Sequence, residues 1–141
     1  MQARSLAFWL VSLGCSPPLA DTPLAAAAAR GDVTAVRRLL SAGARPAERT
    51  SFGLPPLTIA ARSGHAEVVR ALLAAGADPD QLDEPPTRER WTPLMNAAHT
   101  GQVEIVEILL AAGANARYRT PGGNTAARLA DEDAIRRLVE P

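Results

Sequence analysis

The sequence predicts an all-α repeat solenoid: three full helix–turn–helix units and a truncated fourth, joined by extended loops. Three observations carry that expectation. Proline, glycine and Ala-Gly-Ala landmarks recur together about every 33 residues. The second half of each unit places apolar side chains at helical spacing. The chain is 47% hydrophobic but only 4% aromatic, with abundant alanine. Small side chains let helices approach closely, and alanine is the best helix former.

The landmarks move as a set. The first unit runs Thr22-Pro23-Leu24-Ala25, Arg30-Gly31-Asp32 and Val36 to Ala44. The second runs Pro55-Pro56-Leu57-Thr58, Ser63-Gly64-His65 and Val68 to Asp78. The third runs Thr92-Pro93-Leu94-Met95, Thr100-Gly101-Gln102 and Val106 to Asn115. Pro23 to Pro56, Gly31 to Gly64 and Gly43 to Gly76 are each 33 residues apart, whereas the next offsets are all 37. Four extra residues therefore fall between Gly76 and Pro93, in the polar stretch Asp83 to Arg90. A fourth unit starts at Gly123-Asn124-Thr125-Ala126 and is shortened: Ile105 pairs with Ile135 at a spacing of 30.

Each element has a local cause. Proline suits the first helical turn, where its missing N–H is not needed, and the preceding threonine can cap the helix. Gly64 and Gly101 end the first helix of their units in a turn open to left-handed backbone. Val68, Leu72 and Leu73, or Ile105, Ile108 and Leu109, form the apolar stripe of a second helix. Ala-Gly-Ala then stops it. One unit cannot bury its own apolar face, and stacking solves that problem.

The pattern resembles the ankyrin repeat, through Thr-Pro-Leu-x-x-Ala-Ala and Leu-Leu-x-x-Gly-Ala in three phased copies. The resemblance covers residues 21–141, with units near 21–50, 51–83, 88–120 and 121–141, after a segment 1–20. It implies antiparallel helix pairs in an arc, β-hairpin-like fingers, and a module that binds another protein without catalysis or cofactor. Ala25, Thr58, Met95 and Arg128 stand where that family usually has histidine, and Pro55 and Ala126 interrupt the Thr-Pro pair. These departures weaken helix-linking hydrogen bonds and bear on stability more than on fold. Asp131-Glu132-Asp133 and Arg136-Arg137 suit a solvent-facing terminal cap.

The segment before the first unit supports two readings. Arg4, the apolar run Ser5 to Leu13, and Gly14-Cys15-Ser16 look like an export signal. Cleavage before Cys15 would leave a cysteine for lipidation, as in bacterial lipoproteins, although Ser12 stands where leucine is preferred. The chain would then be periplasmic or anchored outside the cytoplasm. Alternatively, residues 5–13 form a helix that covers the first unit of a cytoplasmic protein.

Composition and motifs narrow the function. Fifteen arginines balance fifteen acidic residues, a charge pattern unlike that of a nucleic-acid binder. One cysteine forms neither an intrachain disulfide nor a thiolate zinc cluster. Nucleophile and phosphate-loop motifs are missing, so a hydrolase or metal enzyme on this scaffold would need a convergent cluster. Asp78, Asp80, Asp83 and Glu84 read as a solvated loop, and His65 as part of a structural turn.

What remains is surface. In ankyrin arrays, loop tips and the exposed ends of first helices hold the partner. Those places map to Phe52, Leu54, Arg62, Ser63, Glu89, Arg90, Trp91, His99, Thr100, Tyr118 and Asn124. Phe52, Trp91 and Tyr118 are loop aromatics near arginine, a combination that anchors interfaces or stiffens loops. The expected partner of this monomeric array is another protein, with membrane contact only through lipid on Cys15.

Overall fold

The computed structural model describes residues 21–85 and 89–140. The export or covering segment, including Cys15, lies outside the described residues. Among them the helices are α1 (Pro23–Arg30), α2 (Val33–Ser41), α3 (Pro56–Ser63), α4 (Ala66–Ala74), α5 (Pro93–His99), α6 (Val103–Ala111), α7 (Ala126–Leu129) and α8 (Asp133–Val139).

These helices form two layers. An inner row runs α1, α3, α5, α7, and an outer row runs α2, α4, α6, α8. Each helix packs against its own pair-mate and against its counterpart in the next unit. The inner row is pressed from several sides, so α3 buries every residue from Pro56 to Ala61 and α5 every residue from Pro93 to Ala98. Only small or compact side chains tolerate that crowding, hence Ala60, Ala61, Ala97 and Ala98. The outer row faces solvent on one side. It buries a stripe instead: Val68, Val69 and Leu72, then Ile105, Val106 and Leu109, then Ile135 and Val139.

The expected caps are present. Thr22, Thr92 and Thr125 accept hydrogen bonds from the amides of Ala25, Met95 and Arg128 at 3.1, 3.2 and 3.3 Å. Such caps contribute about 1 kcal/mol each. Pro55 has no side chain that can do this, and α3 begins without a side-chain cap. Gly31 follows α1 with φ +72°, and a Cβ there would press into the ring of His65. His65 is thereby free to join its Nε2 to the carbonyl oxygen of Ala29 at 3.0 Å, tying the second unit to the first. That is the structural role anticipated for it.

Two expectations need adjustment. Among the described residues no β-strand forms, and the fingers are tight turns rather than ladders. In the first, the Thr50 amide donates to Leu54 O at 3.0 Å and the Gly53 amide to Thr50 O at 2.9 Å. Pro55 and Pro56 follow at once, and neither has an N–H to extend pairing. The acidic stretch also divides. Asp80 receives the amide of Asn115, whereas Asp83 is only 5% exposed and belongs to the interior.

Candidate functional site

The longest finger borders an open concavity. Asp83 donates its amide to Trp91 O at 2.9 Å, which closes the loop that carries the four extra residues. Beneath that loop lies an open groove of about 340 Å³. Leu54, Arg62, Pro85, Glu89 and Trp91 line it. Asp83 and Asn96 are its buried polar lining residues, and His99 and Thr100 stand at the end of α5. The groove therefore brings together Leu54, Arg62, Glu89, Trp91, His99 and Thr100 from the residues expected to meet a partner.

Their exposures differ. Arg62, His99 and Thr100 are exposed, Trp91 and Glu89 are half-buried, and Leu54 is buried. Leu54 thus belongs to the core and supports the groove from beneath rather than standing at a loop tip. The indole of Trp91 meets the ring of His99 edge to face, with centroids 5.2 Å apart and planes at 78°. Thr100 returns its hydroxyl to Asn96 O at 2.8 Å. The remaining candidates lie elsewhere. Ser63 and Arg90 are exposed outside the groove lining, while Phe52 and Tyr118 are half-buried and packed on the core. Asn124 is half-buried and donates to Glu89 Oε2 at 3.3 Å, holding the long finger to the following one.

Two carboxylates in the groove have opposite surroundings. Burial pushes the Asp83 carboxyl above its ordinary range, and this outweighs its hydrogen bonds and the fields of Arg62 and Arg49. The hydroxyl of Thr58 donates to Asp83 Oδ1 at 2.9 Å, and the Asn96 amide to Oδ2 at 3.1 Å. These donors come from α3 and α5, so one side chain joins two units. Glu89 is held below the usual carboxylate range, chiefly by a hydrogen bond from Thr120 and then by Asn124 and the backbone of Gly122.

Asp83, Pro85 and Asn96 are the groove residues that sequence reasoning missed. A signal existed: Asp83 lies 33 residues after Thr50 and 37 before Thr120, the same offsets as the landmarks. All three positions are buried polar residues. Among the described residues, no group of three histidine, cysteine or acidic side chains is arranged to hold a metal ion, and no helix is long and apolar enough to cross a membrane.

Comparison with known proteins agrees with the architecture. A family model described as ankyrin repeats (3 copies) matches residues 2–83, and one described as ankyrin repeats (many copies) matches residues 84–130. No curated protein matches the chain.

Proposed function

This chain belongs to the ankyrin-repeat family, and from that premise we propose that it is a non-catalytic module gripping a partner protein in the groove under its longest finger. Ankyrin repeats generally bind other proteins. The observation that carries the reading is the groove itself, which gathers a half-buried tryptophan, an exposed histidine and an exposed arginine from two units. Aromatic side chains such as that of Trp91 anchor interfaces. The stacked layers hold these groups in place before a partner arrives, so little conformational entropy is lost on association. Two carboxylates also brace the groove: Asp83 ties α3 to α5, and Glu89 ties two fingers together.

A photo-crosslinking residue placed in turn at Arg62, His99 and Glu107 tests the reading in the native host. Glu107 is exposed on the outer layer. Crosslinks to one protein from positions 62 and 99, and none from 107, are expected. Equal labelling from 107 overturns the groove as the binding face. Deleting four residues of the long finger should abolish the crosslinks and leave the helical circular dichroism intact, because the finger lies outside both helix layers.

Export, with Cys15 as a lipid anchor, is our proposal for where the module works, supported by the Arg4 to Cys15 pattern. A cytoplasmic inhibitor or assembly factor is the second reading. One observation favours it: the ankyrin match starts at residue 2, inside the segment that export would remove. The intact mass of protein from its host separates them. Loss of residues 1–14 with added lipid supports anchoring, loss without lipid a soluble exported form, and an intact chain the cytoplasmic form.

A further inference from the structure

Resting on the groove as the binding face, we propose that it selects its partner by one basic side chain, whose charged head reaches Asp83 while its stem lies along Trp91. Asp83 as a residue is 5% exposed, and it lines the groove. Its hydrogen-bond donors are the hydroxyl of Thr58 and the amide of Asn96, both neutral. A carboxylate offers about four acceptor sites, so two donors leave capacity unused.

The nearby cations do not fill that role. Among the described residues neither Arg62 nor Arg49 comes within ion-pair distance of Asp83. Arg49 is committed to Leu82 O at 3.1 Å and to Glu84 at 3.6 Å. The field of the two arginines is weaker than the effect of burial on the same carboxyl. Among the described residues, Asp83 is therefore a buried acceptor with no cation in contact.

Partner chemistry follows by elimination. An acidic side chain would meet Asp83 and Glu89 together. An aliphatic one would seal Asp83 away from water without a charge partner, which is costly. An arginine or lysine satisfies the carboxylate and offers a cation to the face of Trp91, the most favourable aromatic for that contact. Arg62 at the rim adds selectivity of its own, because it repels a second basic residue beside the first. A single basic residue in a neutral setting fits, and a basic run does not.

Random dodecapeptides displayed on phage and selected on the full chain provide the test, with binding located by amide shifts at Trp91, Asn96, His99 and Thr100. Groove-binding peptides should share one arginine or lysine. Replacing that residue by norleucine, or making Asp83→Asn, should weaken binding at least about tenfold. The asparagine can accept from Asn96 and donate to Thr58, so contacts across the joint persist while the charge is lost. Arg62→Ala should tighten binding, an effect that a merely structural groove would not produce. Groove-bound peptides lacking a basic residue, or norleucine variants that bind as well, overturn the proposal and leave the binding face standing. Peptides that shift only α4 and α6 remove the groove reading and the proposal with it.

Discussion

The compact fingers and the long finger start from the same position in the repeat and end with different uses for it. In the compact ones, Thr50 and Thr120 fold their hydroxyls back to accept the amides of Leu54 and Asn124 at 3.3 and 3.1 Å. Thr50 uses its hydroxyl within its own turn, whereas Thr120 also bonds to Glu89 of the long finger. In the long one, the backbone partner of Asp83 is Trp91, and the side chain reaches across to Thr58 and Asn96 instead. In the longer finger, where aspartate also replaces threonine, the same position bridges two units and lines a groove.

The largest expected effect tests how tightly the two kinds of finger are joined. Gly53 has φ +73°, its carbonyl accepts the Glu84 amide at 2.8 Å, and a Cβ there would collide with the backbone of Glu84. Gly53→Ala should lower unfolding free energy by about 3 kcal/mol, combining left-handed strain with overpacking. Urea denaturation measures it, and a loss no greater than at Gly43 would show that the fingers do not depend on each other. Gly43 has φ +97° but nothing near a new Cβ.

Next in size is the bridge. Thr58→Val removes one buried donor to Asp83 and should cost about 1–2 kcal/mol. The same change at Thr50 would remove a contact within one turn, so the two losses measured side by side compare bridge with turn. Gly43→Ala, from strain alone, should cost about 1 kcal/mol.

The smallest effect is a slope with pH. Because the folded value of Asp83 is raised, the folded chain holds a proton that the unfolded chain has released. Stability from this group therefore falls as pH rises from the ordinary aspartate range, near 3.8, through the raised folded value, and is level above it. Asp83→Asn should remove that decline. Glu89 acts in the opposite sense: its folded value is lowered, so its contribution is present above the ordinary glutamate range and lost as pH falls through the lowered value. Thermal midpoints of wild type, Asp83→Asn and Glu89→Gln across the acid range separate the two slopes.

Much of the architecture was legible because proline and glycine act through local backbone geometry. Pro23, Pro56 and Pro93 each open an inner helix, and Gly31, Gly64 and Gly101 each follow one with positive φ. The placement of Arg62, Trp91 and His99 was legible by the same phasing. Asp83 was not, because a charged residue among Asp80, Glu84 and Glu89 has the composition of a solvated loop. Its burial depends on Thr58 and Asn96, which arrive from elsewhere in the chain. Leu54 shows the converse: its place beside a turn suggested a tip, but its side chain turns inward to the core. Local chemistry fixed where turns occur, and the packing of neighbours decided which side chains they hide.

The units are stitched almost entirely to their immediate neighbours: Asp21 with Ser51, Gln81 with Ala47, Arg70 with Glu104, and Asp80 with Asn115. No long-distance closure must be kept in register, so a lineage could lengthen or shorten one finger while the rest of the molecule keeps its geometry. The array is in this sense a chassis for inheritable variation. New recognition chemistry can be explored at one joint at a time, and a failed attempt stays confined to the joint that made it.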